Sequence, residues 1–208
     1  MHLVVQQWPL VAAVVLALGV GVWLFARRPG PDARLAADAR DPYRRWVQGA
    51  FMLVTGDEDY AHLPGGEARR ILAHWWDVYG PLEHRRTLAT LADDSGRDHA
   101  WALLRFILVS RLGVAAGISS EELSWAEILP VARRLQAAYP SWRAMAQAYL
   151  QARRQWKGLP LDGSADDDGM KQIVDNLARL DDARWAQLPW QTPLFTADPD
   201  ADPEDSHG

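Results

Sequence analysis

The chain has 208 residues, with 22 Lys and Arg against 27 Asp and Glu, 49% hydrophobic residues, eleven Trp and no cysteine. Without cysteine there are no disulfide staples, thiolate metal sites or cysteine nucleophiles. A net charge of -5 and dispersed Arg residues argue against a surface that tracks nucleic-acid phosphates.

The first element is an unbroken apolar run from Trp8 to Ala26, WPLVAAVVLALGVGVWLFA. As a helix rising 1.5 Å per residue it would cover roughly 28 Å, close to the hydrocarbon thickness of a bilayer. No Lys or Arg precedes it, whereas Arg27, Arg28, Arg34, Arg40, Arg44 and Arg45 follow closely. Positive residues near a span stay on the cytoplasmic side, so the body is expected to face the cytoplasm. A cleaved signal peptide would need a basic start, and the run continues past the small residues at Ala17 and Gly19. The sequence thus reads as one transmembrane helix over residues 1–26. A linker broken by Pro29, Gly30 and Pro31 covers 27–41, a folded body 42–195 and an acidic, disordered tail 196–208. Charge is uneven: residues 26–161 carry 19 basic and 15 acidic side chains, whereas residues 162–208 carry 3 and 12.

The body reads as all-α, a compact single-domain bundle of about six to seven helices. Asp41 and Pro42 open the first, with Tyr43, Trp46, Val47, Ala50, Phe51 and Val54 at helical spacing. Ala68, Ile71, Leu72, Trp75, Trp76 and Tyr79 repeat that pattern until Gly80 and Pro81 stop it and open a third helix through Leu82, Leu88 and Leu91. Asp98 to Ala116 is apolar on nearly every face and is expected to be the central helix, ended by Gly117. Ser119 and Glu122 read as a capping box for a fifth helix with Pro130 inside it, which should kink it. A sixth starts at Ser141 with the stripe Trp142, Met145, Ala146, Tyr149, Arg153 and Trp156, and a last carries Met170, Ile173, Val174 and Leu177. Trp185 and Trp190, flanking Leu188 and Pro189, have no helical period and should strap the end of the chain onto the body.

Trp101 followed four residues on by Arg105, then Ile118, Ser119 and Glu121 at a helix-opening turn, then Ser141 and Trp142 opening a helix that ends near Trp156, form a pattern. Together with WDVYG at Trp76 and LPWQTPL around Trp190, it resembles the bacterial family catalogued as domain of unknown function 1266, over roughly Val47 to Leu194. The chain departs from that pattern at Ala152, where the family has Gly, and at Asp98, where the usual Asp is displaced. The resemblance implies a small helical domain and supplies no activity. Family resemblance alone suggests an accessory or immunity-like role beside a bacterial secretion or toxin system.

Arg105 shares a face with Trp101, Leu108, Val109 and Leu112 inside the most apolar helix, and a guanidinium there needs partners. Asp77, Asp98, Glu122 and Glu127 are candidate carboxylates, with Trp101 stacked on the guanidinium. Either Arg105 pins helices together or it binds an anion in a pocket. The other Trp residues point first to core packing, although adjacent Trp75 and Trp76 cannot both face inward and one of them should line a groove. Candidate binding residues are therefore Trp76, Asp77, His99, Trp101, Arg105, Ser141 and Trp142. The run SADDDGMKQIVD from Ser164 resembles a calcium loop, but a Ser stands first, Asp175 replaces the bidentate Glu and Lys171 intrudes. Its Asp residues are expected to cap a helix instead. The scattered His residues, the lack of GxSxG and the lack of a phosphate-cradling loop give no catalytic signature, no cofactor and no metal centre. The sequence therefore points to a membrane-anchored domain that binds a protein partner, not nucleic acid; an enzyme or anion sensor built around Arg105 is the alternative.

Overall fold

The computed structural model describes residues 38, 40–56, 63–93, 99–183 and 185–194, excluding the side chains of residues 99 and 181–183. The chain divides into residues 1–38 and 39–208, and the architecture below is that of the second unit. The apolar run 8–26, the linker up to residue 37 and the tail 196–208 lie outside the described residues. Among the described residues, no helix is long and apolar enough to cross a membrane.

Seven α-helices and a 3-10 turn, with no strand among the described residues, build the body. They are α1 (Pro42–Thr55), α2 (Gly65–Trp76), α3 (Pro81–Asp93), α4 (His99–Ala115), α5 (Glu121–Ala138), α6 (Trp142–Lys157), α7 (Asp168–Ala183) and the turn Trp185–Gln187. Asp41 caps α1, its carboxylate accepting the Tyr43 and Arg44 amides at 2.9 and 3.3 Å, with Pro42 in the first turn where no amide is needed. Gly117 takes a left-handed φ of 71° after α4, which lets the Ile118 amide reach back to the Gly113 carbonyl at 2.8 Å. The cap of α5 is Ser120, one residue later than expected. The Ser120 hydroxyl serves the Leu123 amide at 3.1 Å, while Ser119 stays in the preceding turn and Glu122 lies in the first turn of the helix. Pro130 lies inside α5, which runs on to Ala138.

The central position expected for α4 follows from its composition. Leu103, Leu104, Ile107, Val109 and Leu112 point in different directions around the helix and are all fully buried. Helices α1, α2, α3, α5 and α6 pack against it, and α7 packs across α1 and α6.

Residues 185–194 strap the bundle as the sequence suggested. Trp142 stacks on Trp185 with centroids 5.4 Å apart and planes 11° apart, meets Trp190 edge-on at 4.7 Å and lies 4.8 Å from Trp46. Each indole N–H is satisfied by a carbonyl: Trp46 donates to Trp190, Trp185 to Gly49, Trp142 to Leu188 and Trp190 to Tyr139, at 2.7 to 2.9 Å. Gly49 has no side chain because the strap lies against it; a Cβ there would sit 2.7 Å from Leu188 and 3.3 Å from the Trp142 ring.

Candidate functional site

A cavity of about 570 Å³ opens where the end of α2, the first half of α4, the end of α6 and the start of α7 meet. Helical spacing builds its walls. Trp101, Arg105 and Leu108 follow one another at intervals of four and three on α4, and Tyr149, Arg153 and Trp156 repeat that spacing on α6, so each trio forms a stripe along one side. Trp75 and Trp76 close a third side from the last turn of α2, and Gly169, Gln172 and Ile173 a fourth from α7.

Arg105 lies between two indoles. Its guanidinium carbon is 4.5 Å from the Trp76 ring centroid and 4.8 Å from that of Trp101, so both negative ring faces meet one cation. The expected stacking on Trp101 is present, and Trp76 adds a second ring. Among the candidate carboxylates, Asp77 forms the C-cap of α2 with a left-handed φ of 52° and is exposed. Glu122 lies exposed in the first turn of α5. Burial raises the pKa of Glu127, opposed by nearby His84 and Arg85. Asp98 lies outside the described residues.

Trp101 continues the aromatic wall, its ring 5.1 Å from Tyr149 and 5.5 Å from Trp156. Trp156 and Trp75 stand at the rim with 61% and 65% of their surfaces exposed, which corrects the reading of Trp156 as a core residue and makes Trp75 the more exposed member of the adjacent pair. Each lies in the last turn of its helix. Two more cations face the cavity. Arg153 Nη1 donates to Asp167 at 3.2 Å, and Arg153 lies so close over Gly169 that a Cβ there would come within 2.6 Å of its Nη2. Lys157 Nζ lies 4.0 Å from the same carboxylate and 5.0 Å from the Trp156 ring. The described lining contains three cations and no carboxylate, His or Ser, and the carboxylate shared by Arg153 and Lys157 is that of Asp167 beside it. The Trp76 indole N–H, shut off from solvent in this wall, has no acceptor among the described residues.

Of the seven candidate residues, Trp76, Trp101 and Arg105 come together here. His99 begins α4, and its side chain is not described. Ser141 and Trp142 lie elsewhere: the Ser141 hydroxyl accepts the Ala144 amide at 3.2 Å to cap α6, and Trp142 is buried in the indole cluster under the strap. Sequence reasoning missed Arg153 as a cleft residue, together with Lys157 and Gln172, although the four-residue interval from Tyr149 to Arg153 repeats that of Trp101 and Arg105.

It also missed the guanidinium that is truly buried. The Arg111 side chain is 2% exposed; it donates to Glu121 at 2.7 Å and lies 4.2 Å from the Trp125 ring centroid. Trp125 Nε1 donates to the same Glu121 oxygen at 2.9 Å, and the Tyr43 hydroxyl, its pKa raised by burial, donates to the Trp125 carbonyl.

The calcium-like run is held by arginines. Asp166 takes a two-point contact from Arg154, at 2.9 and 2.8 Å, and Asp167 accepts the Met170 amide at 2.7 Å at the start of α7, the capping role expected for this run. These contacts hold both carboxyls below their ordinary pKa, Asp166 chiefly through Arg154 and Asp167 chiefly through the Met170 amide. Among the described residues, no group of three or more His, Asp or Glu is placed to hold a metal ion.

Residues 95–190 match the model of a family described as Protein of unknown function (DUF1266). Over that span the chain is similar to DUF1266. The matched span takes in α4 to α7 and most of the strap, so Arg105 and the α4, α6 and α7 walls of the cleft fall within it, while Trp75 and Trp76 precede it. The likeness is thus narrower than the range from Val47 to Leu194 read from sequence. No curated protein and no solved structure matches the chain.

Proposed function

We propose that this protein is a membrane-anchored, cytoplasm-facing helical module that binds a protein partner at the bilayer surface through the cleft around Arg105. The anchor rests on the apolar run 8–26, and the orientation on the arginines that follow it. The partner reading rests on one observation: two exposed Trp residues rim a concave site that contains Arg105, Arg153 and Lys157. Trp and Arg are the side chains that dominate binding energy at protein interfaces, and large exposed aromatics around a pocket mark such surfaces.

The test is affinity purification of the full-length protein from inner membranes, with mass spectrometry of what accompanies it, beside the variant Arg105→Met. A discrete protein retained by the natural chain and lost with the folded variant supports the reading; the same retention by both contradicts it. Protease added to intact spheroplasts should leave the helical body uncut, and digestion from outside would contradict the orientation. The volume of about 570 Å³ favours a second reading, a pocket that senses or turns over a small anion. A metabolite released from the purified natural chain, and absent from Arg105→Met, would select it.

A further inference from the structure

The cleft combines two recognition chemistries that one occupant would have to match. Its interior is built of rings: Trp101, Tyr149 and Trp156 form a continuous tilted wall, and Trp76 faces them across Arg105. Such a wall suits a flat apolar ring, because aromatic pairs in offset or edge-to-face contact gain more than their area burial alone. Around that interior stand Arg105, Arg153 and Lys157, the last two sharing the single carboxylate of Asp167, and the Trp76 indole N–H has no acceptor among the described residues. These groups attract carboxylates and would desolvate unfavourably against an uncharged ligand.

The size and the rim decide what carries these groups. A volume of about 570 Å³ has room for more than one ring, in the range of pockets that enclose a whole small ligand. A small ligand, however, would leave the outward faces of Trp75 and Trp156 uncovered, and these are among the most exposed large apolar side chains of the described residues. A polypeptide segment covers both, since its central side chain enters the cavity while its neighbours lie across the rim.

We infer that the cleft receives a segment of a protein partner in which one aromatic side chain is flanked by Asp or Glu residues; this rests on the partner reading above and specifies what the partner presents. The ring packs on the Trp101–Tyr149–Trp156 wall beside Arg105, and the flanking carboxylates meet Arg105, Arg153 and Lys157.

Fluorescence anisotropy with the full-length chain in detergent micelles tests this, using three labelled ten-residue peptides. One has a central Phe among Asp and Glu, one a central Ala among the same acids, and one a central Phe among Lys. The expected result is that the first binds at least tenfold more tightly than either of the others. Arg105→Met should then weaken it tenfold or more, and Lys157→Gln, at an exposed position and with an unchanged thermal unfolding curve as the folding control, should weaken it severalfold. Equal binding of the Phe and Ala acidic peptides overturns the aromatic inference and leaves an acidic partner site standing. Equal binding of the acidic and basic Phe peptides overturns the charge requirement. Failure of all three to bind overturns the inference, while the co-purification result independently decides the partner reading.

Discussion

Arg105 and Arg111 stand six residues apart on α4, which sets them about 120° apart around the helix, and their surroundings give them different work. Arg111 is sealed against Glu121 and Trp125, so its removal would leave a carboxylate facing a low-dielectric interior without its cation. Breaking such a pair costs about 3 to 5 kcal/mol. Arg105 lies half-buried between two indoles at a cavity, where a cation–π contact contributes about 0.5 to 2 kcal/mol. Thermal unfolding should therefore separate two otherwise identical substitutions. Arg111→Met should lower Tm by roughly 6 °C or more for a chain of this size, and Arg105→Met by only a few degrees. Equal losses would mean that Arg105 is a structural pin and that the cleft reading has lost its main residue. Arg105 was legible in the sequence because Trp101 precedes it by one turn. Arg111 was not, because a helix apolar on all faces gives no period to show which side is deepest, and its partner lies beyond the Gly117 turn.

At the scale of elements, the helices were legible wherever sequence chemistry acts locally. Asp41 with Pro42, Gly117, and Ser141 each fix a helix end through a contact within a few residues. The strap was legible because Trp185 and Trp190 lack a helical period yet are too apolar for solvent. The exposed face of Trp156 was not, nor which of Trp75 and Trp76 turns outward, since burial at a helix end depends on whether another element arrives to cover it, which spacing along one helix cannot show. The link between α6 and α7 gives a pH prediction. The Arg154 contact holds the Asp166 carboxyl below its ordinary range, so its folded value lies below that of the unfolded chain, about 3.9. Stability from this pair is then fully present above that value and is lost as pH falls through the lower folded one. Carbon-13 titration of Asp166 should give a midpoint below the usual Asp value, and Arg154→Met should move it back up. An unchanged midpoint in the variant would show that Arg154 does not hold the carboxylate.

For the whole molecule, an apolar run over residues 8–26 precedes a helical body similar to DUF1266 over residues 95–190, in which a cleft brings together Trp76, Trp101 and Arg105. The sequence placed these three residues among its candidates and supplied the all-helical class. It did not show how α6 and α7 complete the site, because residues more than forty positions apart meet only through packing around α4. The claim on which the rest depends is that this cleft is a docking surface and not merely an uneven part of the bundle. Site-specific photo-crosslinking in native membranes tests that claim directly, with benzoylphenylalanine replacing Trp156 at the rim or, as a control, Ala126 on the exposed surface of α5. The account predicts a discrete protein adduct from position 156, none from position 126, and loss of the adduct when Arg105 is also changed to Met. No adduct at 156, or the same adducts from both positions, would contradict it.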